Sequence, residues 1–314
     1  MRTIQTFREG DRISQVLLCK NKQTMTAKNG KNYYSLVLQD KTGTLDGKVW
    51  DLNAGIDHFE AMDFICVDGE ITSFNNNLQM NVRRVRKAQE GEYLESDFFP
   101  TSNKDIETMY KELLSYVAKI ENPKMKELVE SFFVKDEAFI KQFKQHSAAK
   151  SVHHGFIGGL LEHTLAVTKL CWCYCWLYPQ LNKDLLLAAA MFHDIGKLRE
   201  ISDFPTNDYT DDGQLLGHIV IGCEMVGERI KTIPDFPAKT ATELRHCILA
   251  HHGEFEYGSP KKPALMEAAA LNFADNTDAR METFIEQVVG ASSSEWLGFN
   301  RFVDSNVRKT TPLE

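Results

Sequence analysis

A histidine and an aspartate stand side by side in Met191-Phe192-His193-Asp194-Ile195-Gly196-Lys197, at the end of the apolar run 185–192. Imidazole nitrogen and carboxylate oxygen together suit a transition-metal ion, and a carboxylate has a second oxygen with which to bridge two ions. Alone, a His-Asp pair often just caps a helix. Its weight comes from the company it keeps: His163 before it, His218 after it, then His251-His252 and Asp275. Buried without a cation, such a set would strand several polar groups, each at roughly 1–3 kcal/mol. Lys197, one helical turn past Asp194, is placed either to contact a phosphate or to form a salt bridge. His58, His146 and His246 fall outside the pattern and read as ordinary structural histidines.

Ligands this far apart in sequence must be gathered by helices. Ile106, Met109, Leu113, Leu114 and Val117 form one apolar stripe; after Asn122-Pro123, Met125, Leu128, Val129 and Phe132 form a second. A short helix is expected at 139–143, and longer ones at about 160–177, 184–195, 215–231, 239–251 and 263–289. A helical bundle can aim side chains from several helices at one interior point. The last stretch, 299–314, reads as an extended tail.

The N-terminal part has a different period. Residues 13–19, 33–38, 44–50, 64–71 and 78–85 read as strands, with turns at Lys41-Thr42-Gly43 and Asn75-Asn76-Asn77. One or two helical turns are expected at 53–59. Three strands, a short helix and two strands is the order of a five-stranded OB barrel. Period-two alternation puts Tyr34, Leu36, Leu38, Leu45, Gly47 and Val49 inside, and Tyr33, Lys48 and Trp50 outside. Outward aromatics offer stacking platforms to single-stranded nucleic acid, and lysines meet its phosphates. Packing against the helical part is the alternative for Tyr33 and Trp50. Lys22, Lys28 and Lys31 in the first long loop, with Arg83, Arg84 and Arg86, would extend the basic track.

The expected class is therefore α+β multidomain, with an OB barrel at 1–90 and a linker and helical lead-in at 91–150. The metal-binding bundle spans 151–298 and the tail 299–314. The net charge of −8 argues at first against a nucleic-acid partner. It is unevenly spread, since residues 1–90 carry 13 lysines and arginines against 11 acids. A locally basic binding face is thus permitted. The first residues show no secretory signal and the apolar runs are too short to span a bilayer. Those short runs imply no membrane partner, and seven cysteines, an odd number without zinc-type pairs, suggest reduced thiols in the cytoplasm.

The ordered set His163, His193-Asp194, His218, His251-His252 and Asp275 resembles the HD-domain phosphohydrolase superfamily. That resemblance implies one metal held by His163, His193, Asp194 and Asp275. Asp194 would bridge to a second held by His218, His251 and His252. Members with a third ion use a glutamate one turn before the first histidine; Gly159 stands there, so two ions are expected. Mixed histidine and carboxylate ligation suits manganese foremost, with cobalt, iron or nickel accepted, better than magnesium. The segment His153-His154-Gly155-Phe156-Ile157-Gly158-Gly159-Leu160-Leu161-Glu162-His163-Thr164, with Gln39-Asp40-Lys41-Thr42-Gly43 in the barrel, is similar to the YhaM family of bacterial 3′→5′ exoribonucleases. This implies metal-dependent release of nucleoside 5′-monophosphates from single-stranded RNA, and from single-stranded DNA, by a homo-oligomer engaged in RNA degradation. His154, beside flexible glycines, is expected to donate to the scissile phosphate or 3′-terminal nucleotide. His153 could take that role or bind the strand; a helix cap is the alternative for His154. Two other readings remain: a phosphohydrolase acting on free nucleotides or cyclic dinucleotides, and a non-catalytic single-strand-binding replication factor.

Overall fold

The computed structural model describes residues 2–53, 55–75, 77–94, 97–99, 101–150, 154–289, 295–301 and 303–311. Two compact units divide the chain: residues 1–101 with 204–206, and residues 102–203 with 207–314.

In the first unit, strands β1 (Arg12–Thr26), β2 (Asn32–Asp40), β3 (Gly43–Val49), β4 (Phe64–Phe74) and β5 (Asn77–Lys87) close into a barrel in the order β1-β2-β3-β5-β4. All pairings are antiparallel except β3 with β5. That order is the OB topology. Alternation decides what fills it: Leu36, Leu38, Val49, Ile65, Ile71 and Met80 are fully buried, together with Leu17. Gly47 fits this close packing, since a Cβ there would lie 3.1 Å from a Leu38 methyl, which would have to shift.

Two local expectations change. The described residues of 53–59 form no helix. Asp51 accepts from the backbone and side-chain nitrogens of Asn53, a local bond that competes with helix formation, and Gly55 has φ +73°. Ile56 instead bridges to Val85, and Phe59 is buried. Lys22 lies within β1, not in a loop, and its ammonium sits over the rings of Tyr34 and Phe59 at 4.7 and 4.5 Å. It is therefore no part of an exposed basic track. In the stretch expected as a linker, Phe98 is buried and Tyr93 stacks on Phe64 at 4.0 Å.

The second unit opens with α1 (Ile106–Val117), α2 (Pro123–Phe133) and α3 (Glu137–Gln145), capped by Asp105, Asn122 and Asp136. Then come α4 (Gly159–Leu177), α5 (Lys183–Phe192), α6 (Lys197–Glu200), α7 (Asp211–Leu215), α8 (Gly217–Lys231), α9 (Ala238–Ala250) and α10 (Met266–Val288). In α5, residues 185–192 are all buried, so that helix runs through the core and delivers His193 into it. Phe132 and Phe133 of α2 meet Phe192 at 5.2 and 5.8 Å and fix that end. The helix expected through residue 195 stops at Phe192, and the one expected from 215 is broken by Gly217, at φ +75°. The tail expected to be extended is a hairpin, β6 (Trp296–Asn300) with β7 (Ser305–Arg308). Among the described residues no helix is long and apolar enough to cross a membrane.

Candidate metal centre

Five helices converge. His163 lies in the second turn of α4, His193 and Asp194 follow α5, His218 opens α8, His251 closes α9 with His252 next to it, and the middle of α10 carries Asp275. Asp194 divides its oxygens between two groups. Its Oδ2 lies 3.3 Å from His163 Nε2 and 3.4 Å from His193 Nε2, and Asp275 Oδ1 is 3.2 Å from the same His163 nitrogen. Its Oδ1 faces His218 Nε2 at 3.5 Å and His251 Nε2 at 3.7 Å. The ligand atoms of His218, His251 and His252 lie within 4.8 Å of one another, as do those of His163, His193 and Asp275.

The other ring nitrogen of every one of these histidines is occupied. Nδ1 bonds the Ala190 carbonyl from His193, Ile248 from His251 and Tyr257 from His252, at 2.7–2.8 Å. From His218 it bonds Glu200, and from His163 it bonds Asp278. A carbonyl only accepts, so the proton sits on Nδ1 and the Nε2 lone pair is turned inward. His163 Nε2 and His193 Nε2 then face each other across 3.1 Å, a contact that a shared cation relieves. Asp194 Oδ1, His218 Nε2 and His251 Nε2 are buried without a hydrogen-bond partner among the described residues, although such atoms are normally paired. The donor set fits a pair of divalent cations.

The electrostatics suit cation binding at Asp194 and His251, while at His163 a proton competes with a cation for Nε2. Burial opposes ionisation of Asp194, but Lys197, His193 and His163 hold its carboxyl well below the usual range. Burial also opposes the charged form of His163, yet Asp194, Asp275 and Asp278 raise its pKa well above the ordinary imidazole value. Burial, with His252 and His193 nearby, pushes His251 well below that value. Lys197 forms an ion pair with Asp194 at 2.7 Å and is mostly buried.

The structure thus brings His163, His193, Asp194, Lys197, His218, His251, His252 and Asp275 to one place. Gly159 leaves no room for a third-ion carboxylate: a Cβ there would fall 1.9 Å from the His154 carbonyl oxygen. The close approach permitted by that glycine is therefore to this chain's own backbone. His154, expected at the scissile phosphate, is buried at 3% exposure; its Nε2 bonds Asp278, and Nδ1 has no hydrogen-bond partner among the described residues. His153 lies outside the described residues. His146 is a satisfied core histidine, bonded to the Ser147 and Ile201 carbonyls.

Asp278 and Glu200 were missed by the sequence reading. Asp278 had a signal, since it follows Asp275 by one turn on the same helix face. Glu200 had none: it accepts from both the backbone nitrogen and Nδ1 of His218, a meeting created by tertiary packing.

In the barrel unit, Tyr33 and Trp50 pair with ring centroids 4.5 Å apart, and Trp50 remains 50% exposed. Lys48 bonds Ser35 at 2.6 Å on the same face. Trp50, Asn81, Arg83 and Arg84 line a groove of about 590 Å³. Arg83 and Arg86 pair with Glu70 and Glu92, while Arg84 is exposed with no ion-pair partner among the described residues.

The HD-domain family model matches residues 160–280, a span that contains the whole cluster. The 3′-5′ exoribonuclease YhaM of Geobacillus sp. (strain WCH70) is 36% identical over 279 residues, covering 88% of this chain and 84% of that protein. Among solved structures, the p204 HINb domain aligns at TM-score 0.23 and 18% identity, over 28% of this chain and 45% of its own. The second OB-fold domain of replication protein A from Methanococcus maripaludis aligns at TM-score 0.22 and 21% identity, over 30% of this chain and 97% of its own. The barrel assignment rests on strand order, not on these two likenesses.

Proposed function

The chain belongs to the YhaM family of 3′-5′ exoribonucleases, and from that membership we propose that it removes nucleoside 5′-monophosphates from the 3′ end of single-stranded RNA, and of single-stranded DNA, at a two-ion centre. The observation that carries this reading is the arrangement of five histidines, each tied back through Nδ1, around the two oxygens of Asp194. His163, His193, Asp275 and Asp194 Oδ2 would hold one cation; His218, His251, His252 and Asp194 Oδ1 would hold the other. Manganese is the first choice for this nitrogen-rich set, with cobalt, iron or nickel accepted. A pair of such cations supplies hydroxide at neutral pH and neutralises charge on the phosphoryl oxygens.

The chain's own groups do the rest. Asp194 stays ionised and keeps both oxygens turned to the two nitrogen sets. Lys197 holds Asp194 in that pose and keeps further N–H groups for a phosphate oxygen. The Tyr33–Trp50 pair, with Lys48 beside it, suits stacking of unpaired bases. Such a platform favours a polymer over a free nucleotide or cyclic dinucleotide, and membership of an exoribonuclease family favours an enzyme over a passive strand binder. Seven cysteines without a disulfide support a reducing, cytoplasmic setting. Exposed Trp296 and Phe299 on the C-terminal hairpin support self-association.

Hydrolysis of a 5′-labelled oligoribonucleotide tests the reading, set beside cyclic dinucleotides and free nucleotides. A ladder shortening from the 3′ end with 5′-monophosphate release is expected. Turnover confined to the small substrates would contradict it. Trp50→Ala should weaken single-strand affinity by about 1–3 kcal/mol through lost stacking while leaving hydrolysis of very short substrates intact. Unchanged affinity in a folded Trp50→Ala protein would remove Trp50 from the binding face.

A further inference from the structure

Behind the ligands stands a carboxylate that faces neither metal set. Asp278 lies one turn past Asp275 on α10 and is buried at 8% exposure. Its Oδ2 accepts from His163 Nδ1 at 2.7 Å and from His154 Nε2 at 3.1 Å. The ligand atoms of His154, His163 and Asp278 also lie within 4.8 Å of one another. Both nitrogens meet the carboxylate at hydrogen-bond distance, so the trio is a bonded string behind the first metal set.

The five inward-facing histidines do not depend on equal supports. His193, His251 and His252 lean on backbone carbonyls that their own local fold holds in place. His218 leans on Glu200, which is itself held by the His218 backbone nitrogen. His163 alone among them leans on a side chain from a helix over one hundred residues away, and that helix also delivers Asp275. The far end of the string is anchored too. His154 has a left-handed backbone at φ +60°, its carbonyl accepts from Ala148, and Gly159 packs against that same carbonyl.

We propose that Asp278 is a positioning residue of the metal centre: it keeps the His163 proton on Nδ1, so that Nε2 faces Asp194, Asp275 and His193 as a lone pair. His154 is the clamp that keeps the Asp278 carboxylate in that pose. A carboxylate behind a ligating imidazole both orients the ring and raises its basicity, and loss of such a partner typically costs 10–100-fold in metal affinity. The inference rests on the two-ion reading and adds which residues set the strength of one of its two sites.

The test is equilibrium manganese titration against a competing chelator, with kcat read at saturating metal. Asp278→Ala should weaken one of two binding steps by about 10–100-fold, leave the other unchanged, and recover most of its kcat when saturated. Asp278→Asn keeps an acceptor for His163 and should lose less; it carries the test if the alanine variant does not fold. His154→Asn, a residue that tolerates the left-handed backbone, should weaken the same step by a smaller factor. Two binding steps in the parent protein, with both affinities unchanged in Asp278→Ala and Asp278→Asn, would overturn this inference alone. Fewer than two ions in the parent protein would overturn the two-ion reading, and this inference with it.

Discussion

Asp194→Ala is expected to lose nearly all hydrolysis while keeping its fold. Among the described residues Asp194 is the one that faces both nitrogen sets, with Oδ2 toward His163 and His193 and Oδ1 toward His218 and His251. Removing it deletes one ligand from each set at once. It also leaves Lys197 buried without its ion-pair partner at 2.7 Å. Residues that merely support ligands typically cost 10–100-fold in metal affinity or activity when removed, and the shared ligand should exceed that range. The surrounding core is apolar and built independently, from Phe132, Phe133, Phe139, Phe143 and Phe192, so the thermal transition should remain cooperative. Near-normal turnover by a metal-loaded Asp194→Ala protein would remove the bridging role and with it the two-ion assignment.

The second large effect is expected from a residue with no side chain. A Cβ on Gly196 would fall 1.9 Å from the His218 carbonyl oxygen and 2.7 Å from the Gly222 backbone nitrogen. The first turn of α8 thus lies directly against Gly196, and His218 owes its place to that contact. Both obstructing atoms are backbone, so relief requires α8 to move away from Asp194. Overpacking of this kind typically costs about 1–3 kcal/mol, occasionally more. Here its functional consequence should be larger than its thermal one. Gly196→Ala is expected to retain the ion held by His163, His193 and Asp275, to lose the ion held by His218, His251 and His252, and to lose at least about tenfold in kcat. Gly222→Ala is the graded control, because its Cβ would meet the Gly196 nitrogen at 3.2 Å, a contact that a small shift can absorb. Two bound ions and normal turnover in Gly196→Ala would show that α8 need not sit where the structure places it.

That these histidines and aspartates belong together was legible in the sequence, because such side chains beside apolar helices are costly unless something binds them. The barrel was legible because alternation separates Leu36 and Leu38 from Tyr33 and Ser35 by the physics of the pleat. What sequence did not carry were features decided by one local competition or by distant packing. The stretch 53–59 has residues that tolerate a helix, but the Asp51–Asn53 bonds and Gly55 turn it into a loop. The tail has too short a period to declare a strand, and β6 exists because β7 pairs with it. His154 stood close enough to His163 in sequence to suggest a role, but not which way its ring turns. That was decided by Asp278, 124 positions away.

The most direct test of the account is the number of manganese ions bound per chain in fully active enzyme, measured by elemental analysis after equilibrium dialysis. The account predicts two ions per chain. One ion per chain in protein that degrades RNA at its full rate would contradict it.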